Sequence, residues 1–407
     1  MRAVPLAEPI SPPIRRFALF EAGFRVFFLL APLYASCAVV EWILTYSGVI
    51  APLPIASPTL WHAHEMIFGF AAAGLAGFFL TAVPNWTGAA YVRGLPLMTL
   101  AGVWLLGRIA MHAGSAVPPA VAAAIDLAFL PMLAALVAPP LLRAGIGRNA
   151  FLLVVLFALW GADLAMQAEL AGASLGIDAS TGSRGARVGI DILALLITVI
   201  AGRIVPAFTT TYLKLRGERK LPRSFAALDR LAIGSMALLL IAEIAFGDGV
   251  VTGAVALAAT LVQAARLSLW RGQATVRMPI LLVLHVGYAW LVAALALKGG
   301  SAFLDWLPET AALHALTVGA VGTMLMAVMS RAALGHTGRK LDAHPITVAA
   351  YSLVSLAAVL RLAAPLLPMA APYAMAGSGF VWSLAFALFL AVYAPILIRP
   401  RVDGQSG

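Results

Sequence analysis

The sequence predicts an all-α, polytopic membrane protein of about twelve transmembrane helices, and three observations carry that prediction. The 407-residue chain is 62% hydrophobic and 11% charged with a mean hydropathy of +0.97, values that a soluble globular domain does not reach. Its apolar residues come in runs of about 20, the length that crosses a bilayer as a helix. Tight breaks at Gly114-Ser115, Gly247-Asp248-Gly249 and Pro368 join neighbouring runs. These pairs must be helical hairpins, because a bilayer excludes open sheet edges.

In chain order the spans fall at 17–46, 60–83, 95–114, 117–138, 149–171, 186–207, 225–247, 249–270, 277–298, 310–333, 345–365 and 372–398. They form a single membrane domain over 17–398, and no soluble domain remains. The basic residues sort by loop. One side collects Arg93, Arg143, the cluster Lys214/Arg216/Arg219/Lys220/Arg223, Arg271, Arg339 and Arg401, whereas the other receives only Arg184, Arg187 and Lys298. The positive-inside rule then puts both tails, 1–16 and 399–407, in the cytoplasm. Residues 1–16 read as a tail and not as a cleaved signal. The net charge of +10 is therefore topological, so the expected partner is the lipid bilayer and not nucleic acid. A single cysteine, Cys37, excludes an internal disulfide, a Cys-x-x-Cys-His haem attachment and a Cys-ligated iron–sulfur cluster. Any metal must use histidine, carboxylate or methionine.

Spans 2, 6 and 10 end in related phrases: Thr81-Ala-Val-Pro-Asn-Trp-Thr87, Arg203-Ile-Val-Pro-Ala-Phe-Thr209 and Arg331-Ala-Ala-Leu-Gly-His-Thr337, spaced by 122 and 128 residues. Three units of four helices are expected, at 17–138, 149–270 and 277–398, arranged about an axis along the membrane normal near which ligands would gather. His64–Gly88 also aligns without a gap with His314–Gly338, matching His64/His314, Gly69/Gly319, Thr87/Thr337 and Gly88/Gly338.

His62, His64 and Glu65 stand at the outer mouth of span 2, where ionisable groups are costly enough to point to function. Together with His314 they are the expected metal ligands. On a regular helix positions 62 and 64 diverge by about 200°, so one shared ion requires His62 to be still pre-helical and His64 to lie in the first turn, a start that Ser57, Pro58 and Trp61 just before them favour. Glu65 also suits a first turn through the helix dipole. His64 and His314, at equal depth on spans 2 and 10, are the pair expected to bind a b-type haem axially, and a borderline ion such as copper also accepts imidazole. His285, deep in span 9, is either a further cofactor ligand or bonded to a neighbouring helix. Arg203 and Arg331 occupy equivalent positions and have the forked donors that hold haem propionates or another anion. The alternative for the buried arginines is pairing with Glu21, Asp163, Asp191 or Glu243, or snorkelling to the interface.

The phrases His62-Ala-His-Glu-Met, Ala82-Val-Pro-Asn-Trp-Thr-Gly, Gly202-Arg-Ile-Val-Pro-Ala-Phe-Thr, His314-Ala-Leu-Thr-Val-Gly-Ala, Met329-Ser-Arg and Gly335-His-Thr-Gly-Arg339 resemble the NnrS family from Phe17 to about Arg399. The resemblance implies a twelve-span protein of the bacterial inner membrane, associated with haem and copper and found with denitrification and nitric-oxide stress genes. In outline the chain is also similar to the large subunit of haem–copper oxidases, with histidines on spans 2 and 10. It has none on spans 6 or 7, where the copper ligands of that subunit lie, which argues against a catalytic nitric-oxide-reducing centre. The leading expectation is a haem- and metal-binding protein that binds nitric oxide or passes electrons. The alternative is a transporter or chaperone for copper or another small solute. Neither a catalytic residue nor an electron-donating partner is identified by the residues.

Overall fold

The computed structural model describes residues 18–51, 57–144, 151–172 and 180–404; the tail expected at 1–16 lies outside them. Among the described residues there is no strand, and twelve long helices follow the spans read from the sequence. They are α1 (Gly23–Tyr46), α2 (Pro58–Thr87), α3 (Leu95–His112), α4 (Pro119–Arg143), α5 (Phe151–Leu170), α6 (Thr181–Leu215), α7 (Ala226–Phe246), α8 (Val250–Ser268), α9 (Pro279–Ser301), α10 (Glu309–His336), α11 (Pro345–Leu366) and α12 (Ala371–Ile398). Eleven are long and apolar enough to cross a membrane. The exception is α7, which has 21 residues but carries Asp229, Arg230 and Glu243.

Successive helices pack side by side, and α12 closes the circuit on α1. Helices α2, α6 and α10 turn inward and touch one another. They are also the most buried of the eleven apolar spans, with 89%, 67% and 67% of an apolar stretch inside the bundle against 56% or less in the others. These are the helices that carry the three related phrases.

Local chemistry shapes the helices that matter most. Ser57 caps α2, its hydroxyl accepting from the Leu60 amide at 3.3 Å, and Pro58 stands at the first position, where its missing N–H costs nothing. Gly88, at φ 73°, ends the same helix in the left-handed conformation. Immediately after His64, residues Glu65–Ala71 form a π-helical turn, and immediately after His314, Ala315–Gly322 do the same. Such turns insert a residue into the helical register and often mark functional positions. The Gly69 carbonyl in the first of them accepts the Trp104 indole N–H at 3.0 Å.

Helix α4 breaks at Ala128. Pro131 explains it, since proline can neither donate to the Leu127 carbonyl nor clear it sterically. The freed oxygen accepts the Trp160 indole N–H at 3.1 Å. Asp126 sits two residues before this break, on the face turned toward α2 and α5. At the opposite end of the bundle the buried Arg25 caps α12, donating to the carbonyls of Leu397 and Arg399 at 2.9 and 2.7 Å.

Candidate metal centre

Five helices bring polar groups to His64. Its Nδ1 lies 2.9 Å from Glu65 Oε1, and its Nε2 lies 2.9 Å from Asp163 Oδ1 on α5 and 3.0 Å from Asp126 Oδ2 on α4. Arg108 of α3 donates to Glu65 Oε2 at 2.5 Å and also pairs with Asp126. The Tyr34 hydroxyl of α1 donates to the same Glu65 oxygen. Gln167 of α5 donates to Asp126 Oδ2 at 2.7 Å and lies 3.0 Å from His64 Nε2. His64, Glu65, Asp126, Asp163, Arg108 and Gln167 are all buried.

Space for this network depends on Gly69, because a Cβ there would lie 3.0 Å from Arg108 Nη1 and collide with the Tyr34 ring. Glycine is required at that point for a close approach of side chains, not for helix-to-helix contact alone.

The charges do not balance. Glu65, Asp126 and Asp163 face Arg108 alone, and even a protonated His64 leaves the carboxylates in excess. Uncompensated charge inside a membrane is expensive. A bound cation removes the excess, and the geometry suits one: one ligand atom each from His64, Asp126 and Asp163 lie within 4.8 Å of one another. In that arrangement Nδ1–H donates to Glu65, which sets the ring orientation and leaves the Nε2 lone pair for the ion, the usual carboxylate–histidine–metal relay. A haem iron does not fit at His64, since both ring nitrogens face carboxylates.

The other residues expected from the sequence are distributed as follows. His62 belongs to the helix that begins at Pro58, so its ring diverges from that of His64 and stacks on Trp42 of α1 at 4.5 Å and 10°. Its Nδ1 is buried without a hydrogen-bond partner. His314 Nδ1 lies 2.7 Å from the Thr310 carbonyl, which leaves its Nε2 lone pair free. The histidine that acts electrostatically on His314 is His62, not His64, and Arg361 of α11 acts on both. Glu65 makes its direct contacts with His64 and Arg108, and reaches His62 only through space.

His285 bonds to a neighbouring helix, its Nε2 lying 3.0 Å from Thr209 Oγ1, while its Nδ1 is buried and unpaired. The guanidinium of Arg203 lies over the Phe151 ring at 5.5 Å and that of Arg331 over the Phe208 ring at 3.8 Å. Asp163 therefore serves His64. Asp191 and Glu243 pair with Lys298, at 3.3 and 2.8 Å.

Sequence reasoning did not single out Asp126, Tyr34 or Gln167, and it treated Asp163 only as a counter-ion. The signal that finds both aspartates is the one applied to the histidines: a carboxylate inside an apolar span is costly and therefore purposeful. Tyr34 and Gln167 carry no such signal.

No curated protein matches the chain. The family model described as NnrS protein matches residues 18–401, which spans all twelve helices and every residue of the centre built around His64, and the chain belongs to the NnrS family.

Proposed function

We propose that this chain is a metal-carrying protein of the nitric-oxide or denitrification response, seated in the bacterial inner membrane with both termini in the cytoplasm. One observation carries the metal assignment: His64, Asp126 and Asp163 converge from three helices in a buried pocket whose carboxylates exceed its cations. One imidazole nitrogen and two carboxylate oxygens suit iron(II), zinc or manganese better than monovalent copper, which favours softer donors. His64, Asp126 and Asp163 would hold the ion, with Glu65, Arg108, Tyr34 and Gln167 holding those ligands in place.

Haem b and copper fit the second pair better. His62 offers a buried ring nitrogen without a partner, and the His314 Nδ1 contact with Thr310 directs its Nε2 lone pair outward, as a ligating histidine requires. Haem bound there would supply redox chemistry or an iron position for nitric oxide. The chain's own part is to orient the two imidazoles, to stack Trp42 on one of them and to set the Arg361 charge beside both. The division of the domain 17–398 into units 17–138, 149–270 and 277–398 belongs to the same reading. It is supported by the meeting of α2, α6 and α10 and by the shared π-helical turns after His64 and His314.

Metal analysis and absorption spectra of the purified full chain test this. The wild type should retain a transition metal and show a Soret band. Asp163→Asn should lose the non-haem metal and keep the band, and His62→Ala or His314→Ala should do the reverse. A wild-type protein with neither metal nor Soret band removes the proposal. Metal uptake into vesicles, abolished by Asp163→Asn and indifferent to haem, selects the transport alternative instead.

A further inference from the structure

Between α7 and α8 the outer surface of the bundle is cut by a groove of about 620 Å³. That volume falls within the range of ~300–1,000 Å³ typical of small-molecule sites. One wall is a single face of α7, on which Ala227, Leu231, Gly234 and Leu238 recur at helical spacing, and the other is formed by Ala258 and Val262 of α8. Leu231 and Leu238 are 61% and 53% exposed, so in a membrane the groove opens to lipid. Small residues hollow it: a Cβ added at Gly234 would meet nothing within 4 Å. From Ala227 to Leu238 it runs roughly 16 Å at the helical rise, about half of a hydrocarbon core of ~30 Å and therefore the depth of one leaflet.

A cation belongs to the same lining. Arg230 is exposed and stands four residues after the start of α7 at Ala226, roughly 6 Å along the axis. The basic cluster Lys214/Arg216/Arg219/Lys220/Arg223 immediately precedes this end of the helix. Among the described residues Arg230 has no carboxylate partner and no hydrogen bond. Its neighbour Asp229 turns the other way, pairing with Arg266 at 2.7 Å and accepting the Ser224 hydroxyl at 2.6 Å. An arginine at that depth reaches the level of lipid headgroups.

We propose that this groove binds one anionic phospholipid of the leaflet on the basic-loop side, with an acyl chain lying over Gly234 and the phosphate paired with Arg230. An unfilled apolar groove forfeits dispersion contacts along its lining, and a guanidinium at the edge of a membrane span is costly without a counter-ion. A phospholipid meets both needs at once. Its phosphate matches the forked donors of arginine, its chain matches the groove in depth and polarity, and its net negative charge is drawn by the neighbouring basic cluster. A second copy of the chain suits the groove less well, because a two-fold axis along the membrane normal would set two Arg230 side chains against each other at one depth. The inference is independent of the metal assignment, since α7 and α8 carry none of the proposed ligands.

Native mass spectrometry of the full chain in detergent, titrated with phosphatidylglycerol and with phosphatidylcholine of the same acyl chains, reads the occupancy. One phosphatidylglycerol should remain bound per chain where phosphatidylcholine is lost. Arg230→Gln should weaken phosphatidylglycerol about fivefold, the ~1 kcal/mol that one basic residue contributes beside an anionic headgroup. Gly234→Leu should weaken both lipids by filling the groove without touching the cation. Arg143→Gln, at an exposed arginine on the same side but at the end of α4, should change neither. Equal retention of the two lipids by the wild type overturns the charge pairing, and a loss in Arg143→Gln as large as in Arg230→Gln overturns a discrete site. Unchanged lipid binding in Gly234→Leu together with loss of a dimer assigns the groove to a second copy and removes the proposal.

Discussion

Glu65 shows how much of the centre depends on a residue that need not touch the ion. It receives Arg108 and Tyr34 on one oxygen and His64 Nδ1 on the other, so it couples the cation of α3 to the imidazole of α2. Replacing it with an amide keeps the shape and removes the charge that polarises the ring. Glu65→Gln should lower metal affinity by about 10- to 100-fold, the usual effect of losing such an outer partner, measured by competition with a chelator of known strength. Gly69 acts through space instead of charge. Gly69→Ala forces Tyr34 and Arg108 to move and should cost ~1–3 kcal/mol of stability, as overpacking does. Gly102→Ala, where nothing lies within 4 Å, should leave the thermal midpoint in detergent unchanged.

At the scale of elements, two irregular helices aim the side chains. Proline-induced breakage of α4 at Ala128 sets Asp126 against Arg108 and His64, and the Trp160 indole satisfies the carbonyl that Pro131 abandons. In α2 the π-helical turn after His64 sets the rotation of the outer end, which bears His62, His64 and Glu65, relative to the inner end, which packs on α1 and α4. Deleting Ala71 restores a regular helix and turns the outer end by about 100°. The variant should still insert and show a full helical circular-dichroism signal, and it should lose the bound metal. Retention of metal at wild-type stoichiometry would mean that the π turn does not orient the ligands.

Across the whole molecule, polar side chains of the described residues gather in several places, three of them beside the inner helices. One is the His64 centre, enclosed by α1 to α5. A second, between α6, α7, α9 and α10, links Arg187 to Glu243 and Asp248 at 2.8 and 3.0 Å and Lys298 to Asp191 and Glu243. The third comprises Trp42, His62, His314 and Arg361. In the second, Lys298 is the ion that balances two buried carboxylates contributed by different helices. Lys298→Met leaves Asp191 unpaired and Glu243 with Arg187 alone, and should destabilise the bundle by ~3–5 kcal/mol, read from denaturant or thermal unfolding in detergent. Adding Asp191→Asn should recover part of the loss. A Lys298→Met protein as stable as the wild type would show that the network does not hold α6, α7 and α9 together.

The membrane fold was legible because its cause is local: the bilayer demands apolar runs of fixed length with satisfied backbones, and composition alone records them. The twelve helices and their hairpins follow from neighbours in the chain, whereas α2 begins earlier than expected, at Pro58, and takes His62 into the helix. His64 was likewise legible, as a costly group in an apolar span. Its company was not. Whether His64 meets His314 or Asp163 depends on helix rotation, and a one-residue π turn or a proline kink changes that rotation without changing hydrophobicity. Only the tertiary packing decided that His64 lies with Asp126 and Asp163 and that His62 turns away from it to stack on Trp42.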